Sequence, residues 1–159
     1  MTFGELALWQ QALAGALAWP VLSFAIGYGC HRIPVERLRR DRFVLRLAAW
    51  EKAGRAYETR LRIKRWKDRL PEAGGFFAGG ASKRALGHRS TESLERFAAE
   101  TRRAEIVHWC LLAAWPLFLL WSGPLIGAAM ALYAVAANVP CLLVQRYNRA
   151  RIERVLKRP

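Results

Sequence analysis

Glu105 and His108 stand three positions apart in "ETRRAEIVHWCLLAAWPLFLLW", residues 100–121, at the point where a charged stretch gives way to an apolar one. On a helix that spacing puts both side chains on one face. A carboxylate beside an imidazole fixes the ring's tautomer and stabilises the imidazolium, which makes His108 a competent general base with Glu105 as its orienting partner. A second stretch, "NVPCLLVQRYNR" (138–149), puts Asn138, Gln145 and Asn148 or Arg149 on a common face, at spacings of seven and then three or four. Amide N–H groups in such a place stabilise an oxyanion, and arginines hold phosphates. Together these parts suit transfer of an acyl group to a hydroxyl. The same residues also fit plainer roles: an interfacial ion pair for Glu105 and His108, a link between helices for Asn138, and a headgroup anchor for "QRYNR". One histidine with one nearby glutamate is too few ligands for zinc, so no metal is expected.

The elements that position these groups follow from how charge and hydrophobicity are separated. The 159 residues are 53% hydrophobic and still carry a formal net charge of +14, with 26 Lys and Arg that all follow Tyr28. They fall in two blocks, roughly 31–105 and 146–158, with an almost uncharged stretch between. The chain therefore reads as one all-α integral membrane domain. Its first span covers about 6–28, where about 23 residues at about 1.5 Å each are enough to cross a bilayer. Pro20 is a candidate kink in it. The second and third spans, about 106–121 and 125–144, are joined by "WSGP" as a tight antiparallel hairpin. By the positive-inside rule the basic segment 31–105 and the tail 145–159 are cytoplasmic, with the N-terminus outside, in a multi-pass protein of the cell membrane. No positive charge precedes the first apolar run, which argues against a cleaved signal peptide.

Within the basic segment, Phe43, Leu47, Trp50, Gly54, Tyr57 and Leu61 recur at alternating spacings of four and three. That pattern predicts an amphipathic helix lying in the membrane interface, its basic faces toward anionic headgroups. "PEAGGFFAGGASKRALGHRS" (71–90) reads as a loop; its glycines miss the phosphate-loop register, because Ala81 stands where a lysine is required. Ser90 or Thr91 caps a helix that then runs unbroken to Pro116, so the second span starts well inside the charged region. Cys30, Cys110 and Cys141 have no CxxC spacing and read as packing residues. Positive-inside topology accounts for a pI near 11.0, so nucleic acid is not an expected partner.

Five blocks resemble the glycosyl-4,4'-diaponeurosporenoate acyltransferases, small membrane enzymes of staphyloxanthin-type carotenoid synthesis. They are "RIP" at Arg32–Pro34, "EKAG" at Glu51–Gly54, "RWKDRL" at Arg65–Leu70, "ETRRAEIVHW" at Glu100–Trp109 and "NVPCLLVQRYNRAR" at Asn138–Arg151. The resemblance runs in the same order from residue 32 onward; the first span matches in hydrophobicity alone. It implies transfer of a fatty acyl group to the glucose 6-hydroxyl of a glycosylated C30 carotenoid carboxylate, the last step of that synthesis. It brings no assigned catalytic residues, so the roles of His108 and Glu105 rest on geometry. In this scheme Asn138, Gln145 and Asn148 bind sugar or oxyanion. Lys67, Arg103, Arg146 and Arg149 receive the phosphates of an acyl donor such as acyl-coenzyme A or an acyl carrier protein, a co-substrate rather than a bound cofactor. Trp66 and Trp109 border the acyl or polyene channel, or anchor their helices. Two alternatives stand beside it: an acyltransferase acting on another glycolipid, and a non-enzymatic basic adaptor at the membrane surface.

Overall fold

The computed structural model describes residues 6–70 and 90–157. The glycine-rich segment 71–89 lies outside the described residues, and so does the prediction that it forms a loop. Three long helices dominate: α1 (Leu8–His31), α3 (Thr91–Ala114) and α4 (Pro124–Leu156), with a five-residue α2 (Arg55–Thr59) between the first two. No strand occurs among the described residues. The three long helices are each long and apolar enough to cross a membrane, the architecture of a multi-pass membrane protein.

Helix boundaries follow local chemistry. Ser90 is the N-cap of α3: its side-chain oxygen accepts the Ser93 N–H at 3.2 Å, satisfying a donor that the first turn cannot pair internally. The second span does start in the charged region, and Pro116 ends the α-helical form, which tightens into 3-10 turns over Trp115–Leu120. Gly123 then turns the chain and Pro124 opens α4, where the N–H that proline lacks has no role. α4 continues beyond the predicted 144 to Leu156 and remains helical through Pro140; α1 likewise continues through Pro20.

α3 packs along α4, and α1 lies against both. At the hairpin-turn end the core is apolar: Trp19, Leu111, Phe118 and Ala134 are buried together, with the Trp19 and Phe118 rings 4.7 Å apart. A buried polar side chain ties the start of α1 to this end. Gln11, 5% exposed, accepts the Gly123 N–H at 2.8 Å and donates to the Leu6 carbonyl at 2.8 Å. The start of α1 therefore sits beside the α3–α4 turn, at the end of the bundle opposite the basic segments.

The interfacial helix predicted over 43–61 does not form as one helix. Residues 35–69 run instead as short 3-10 turns (Val35–Leu38, Phe43–Leu45, Ala49–Gly54, Ile63–Arg65, Lys67–Arg69) interrupted by α2. Backbone conformation and burial explain this. Gly54 takes φ +74°, and a Cβ there would lie 3.2 Å from the Tyr147 ring and 3.3 Å from Arg151, so glycine lets α2 close on α4 without backbone strain or crowding. Phe43 also has a positive φ, 45°, which costs an L residue about 1–2 kcal/mol. The apolar stripe is split as a result. Tyr57, 0% exposed, buries together with Ile63 against Val144 and Tyr147 of α4, while Phe43, Trp50 and Leu61 stay outside.

Candidate functional site: a histidine–asparagine pair beside a buried ion network

His108, half-buried on α3, meets Asn138 of α4: its Nδ1 lies 2.8 Å from Asn138 Oδ1. The asparagine is itself fixed, 4% exposed, with Nδ2 donating to the Ala134 carbonyl one turn earlier at 2.9 Å. A carbonyl only accepts, so the amide nitrogen must face Ala134 and the amide oxygen must face the histidine. The oxygen in turn only accepts, which assigns the proton to Nδ1 and leaves the lone pair on Nε2. Among the described residues Nε2 has no hydrogen-bond partner. A histidine in this tautomer, held at Nδ1 and open at Nε2, is arranged to take a proton from a hydroxyl.

Glu105 is not the residue that orients it. Its carboxylate, 0% exposed, receives Arg146 Nη1 at 2.5 Å on Oε1 and Arg149 Nη1 at 2.5 Å on Oε2, with the Trp109 indole N–H at 3.4 Å. Helical spacing does bring Glu105 and His108 to neighbouring turns of one face. The two guanidinium groups from α4 satisfy the carboxylate instead, because burying it without cations would be far more costly than leaving a neutral imidazole to an amide.

Around Glu105 a network of charges fastens the basic segment to α3 and α4. Arg146 uses every N–H it has. Nε donates to Glu51 Oε1 at 2.6 Å, Nη1 to Glu105 and to the Val44 carbonyl at 2.8 Å, and Nη2 to Glu51 Oε2 and the Arg46 carbonyl, both at 2.8 Å. Arg149, 0% exposed, donates from Nη2 to the Leu45 carbonyl at 2.5 Å. Its Nε makes no hydrogen bond but lies 3.6 Å from Asp41 and 4.0 Å from Glu153. Arg102 binds those two carboxylates, at 2.6 and 2.9 Å. The Tyr57 hydroxyl donates to Glu51. Burial alone would raise the Glu51 carboxyl, but hydrogen bonds from Arg146, Tyr57 and the Ala48 N–H outweigh it and hold the group at about 2.

This geometry reassigns several residues expected to bind an acyl donor. Arg103 caps α1: its Nη1 donates to the carbonyls of Cys30, His31 and Ile33 at 2.7, 2.8 and 2.8 Å, while Nε pairs with Glu100 at 3.0 Å. A cation there also complements the negative end of the helix dipole. Arg146 spends all its N–H groups in the network, and Arg149 is fully buried in it, with its unbonded Nε facing Asp41 and Glu153. Lys67 pairs with its neighbour Asp68 at 2.5 Å. Trp66 donates to the Leu61 carbonyl at 3.0 Å and packs on the Tyr57–Tyr147 cluster. Trp109 is 39% exposed. Gln145 and Asn148 are half-buried on α4 and form no hydrogen bond with described residues. Of the expected set, then, the structure brings together His108 and Asn138, with Gln145 two turns from Asn138 on the same face of α4.

The family model described as glycosyl-4,4'-diaponeurosporenoate acyltransferase matches residues 41–158, the stretch that holds His108, Asn138 and every member of the ion network. The chain belongs to that family. As a member of the glycosyl-4,4'-diaponeurosporenoate acyltransferase family it is an acyltransferase. Curated relatives extend the likeness into α1: the enzyme of that name from Staphylococcus haemolyticus (strain JCSC1435) is 30% identical over 152 residues, covering 93% of this chain and 88% of its own. Its counterpart from Staphylococcus aureus (strain USA300) is 28% identical over 149 residues, covering 93% and 89%. No solved structure matches the chain.

Residues that the sequence reading overlooked are those of the network: Asp41, Glu51, Tyr57, Arg102 and Glu153. A signal existed, because the chain has 12 carboxylates against 26 Lys and Arg. Each acid in so basic a chain is a candidate counter-ion. Glu51, next to Trp50 in a mostly apolar stretch, is the clearest case.

Proposed function

We propose that this acyltransferase moves a fatty acyl group onto a sugar hydroxyl of a glycosylated C30 carotenoid carboxylate, the glucose 6-hydroxyl, as the last step of staphyloxanthin-type carotenoid synthesis. The observation that carries the reading is the His108–Asn138 pair, which leaves Nε2 as an unengaged base where α3 passes from its charged to its apolar part. His108 Nε2 takes the hydroxyl proton as the oxygen attacks the acyl carbonyl; the carbon–oxygen ester bond forms and the donor's thiol leaves, accepting the proton from the imidazolium. Asn138 positions the ring. Gln145 and Asn148 supply amides for the sugar or the oxyanion. The donor is an acyl-coenzyme A or acyl carrier protein arriving from the cytoplasm, where the positive-inside rule puts the basic segment and the C-terminal tail. Arg103, Arg146 and Arg149 are committed internally, so the donor's phosphates meet exposed cations of the basic segment. The supporting comparisons are the names of the relatives, which specify a glycosylated diaponeurosporenoate.

The test is mass spectrometry of lipid extracts from cells that make the glycosylated C30 carotenoid, expressing wild type, His108→Ala or neither. A mass gain of one fatty acyl group with wild type, absent with His108→Ala at equal membrane abundance, is the expected result. Acylation by His108→Ala at the wild-type level would remove the base from the scheme. No acylation by wild type would move the acceptor to another glycolipid.

A further inference from the structure

The Phe43–Leu45 turn is gripped on one side and bare on the other. Arg146 and Arg149 hold three consecutive carbonyls, those of Val44, Leu45 and Arg46, and Leu45 buries its side chain. Phe43 is 89% exposed and Val44 61%, and in the next turn Trp50 is 55% exposed, its ring 5.6 Å from that of Tyr57. Phe43 holds its ring outward from a left-handed backbone, φ 45°. Strain of this kind persists where the surroundings over-determine it and clusters at functional elements. Here the clamp of guanidinium groups on the next three carbonyls does the determining.

The exposed charges between Arg39 and Arg46 are of one sign. Arg39, Arg40, Arg42 and Arg46 are exposed and have no carboxylate partner among the described residues. Asp41, in their midst, is drawn inward by Arg102 and Arg149. The turn follows the end of α1 at His31, where Arg103 pins the last carbonyls, so the patch lies on the first stretch of chain to leave a membrane-length helix.

We propose that Phe43, Val44 and Trp50, with Arg39, Arg40, Arg42 and Arg46 of the same segment, form a docking surface for anionic lipid headgroups. The apolar side chains enter the boundary between headgroups and acyl chains, and the guanidinium groups bind lipid phosphates. Lipid is the occupant because the segment is tied to the membrane-length helices at both edges and couples an apolar tip to cations with no carboxylate partner among the described residues, the combination that an anionic bilayer surface complements. The clamp from α4 makes the surface preformed. This surface does not depend on the acyl-transfer reading, and its test needs no activity.

A nitroxide is attached at Phe43→Cys, and separately at Val44→Cys, in full-length protein carrying Cys30→Ser, Cys110→Ser and Cys141→Ser. The protein is reconstituted into vesicles of phosphatidylcholine alone or mixed with phosphatidylglycerol. With phosphatidylglycerol, collisions with oxygen should exceed those with a water-soluble nickel complex severalfold. The balance should shift toward nickel in pure phosphatidylcholine, and also when Arg40→Gln, Arg42→Gln and Arg46→Gln are added. Nickel-dominated collisions in both vesicles would overturn the proposal, as would equal depth in both, which would remove recognition of charge. Shielding from both quenchers would mean that protein, not lipid, covers the patch. A second measurement keeps the native cysteines: quenching by brominated phosphatidylglycerol should fall on Trp50→Phe, and unchanged quenching would contradict insertion.

Discussion

One turn apart on α3, Glu105 and His108 receive opposite treatment. Both carboxylate oxygens of Glu105 are taken by guanidinium groups, and Arg146 spends all its donors on carboxylates and carbonyls. His108 is bound at one nitrogen and open at the other. The difference teaches how to separate scaffold from chemistry among buried polar groups. A fully satisfied group has no valence left for a substrate and can only hold structure. A group satisfied halfway, with its tautomer fixed by a neighbour that is itself fixed, is arranged to react. Buried ion pairs are weak sources of stability compared with apolar replacements but costly to break singly, which fits a network that holds the segment from Asp41 to Glu51 against α3 and α4.

The widest break in this comparison comes at its two centres. His108→Ala should lower acyl transfer by about 10²–10⁴-fold, the usual worth of a general base, while costing only about 1–3 kcal/mol of stability for leaving the buried Asn138 oxygen unpaired. Arg149→Ala should do the converse: it strands Glu105 without one of its cations and is expected to cost about 3–5 kcal/mol of stability, read as lost membrane abundance and a lower melting temperature. Arg146→Lys should fail to restore the network, since an ammonium has three donors and no planar fork. Asn138→Ala should fall between the two centres, at about 10–100-fold in transfer rate, the scale found for partners that orient a histidine bound to metal, with little change in substrate affinity.

Much of this frame was legible in the sequence. The three spans, the Ser90 cap and the turn before Pro124 are local features, set by composition and by side chains within four residues of the backbone they serve. The face shared by Asn138 and Gln145 followed from helical period. What could not be read was the pairing. The partners of Glu105 arrive from 41 and 44 residues away, and His108 three residues off was the nearest visible candidate. Arg103 likewise reaches carbonyls at least 70 residues distant. Charge alone could not show that these arginines face inward, because an exposed cation and a buried one look the same in sequence. The stripe from Phe43 to Leu61 had a helix's period, yet Gly54 at its centre serves a left-handed turn against Tyr147.

That glycine offers a milder test of the scaffold. Gly54→Ala should destabilise by about 1–2 kcal/mol through its backbone conformation, plus crowding against the Tyr147 ring, with transfer per folded molecule unchanged. Acid should weaken the same scaffold through Glu51. The Glu51 carboxyl sits at about 2, below its ordinary 4.5, so between those values the unfolded chain binds the proton that the folded chain does not. The Glu51 contribution is therefore complete above about pH 4.5 and is lost as the pH falls toward 2. A pH titration of the melting temperature should show this slope in wild type and a flatter one in Glu51→Gln.

The division of roles is tested most directly by measuring acyl transfer per folded molecule for His108→Ala and Arg149→Ala side by side, in purified protein with an acyl donor and a glycosylated C30 carotenoid. His108→Ala should be folded and nearly inactive, and the folded fraction of Arg149→Ala should transfer at close to the wild-type rate. An active His108→Ala beside a folded but inactive Arg149→Ala would contradict that division and move the chemistry to the ion network.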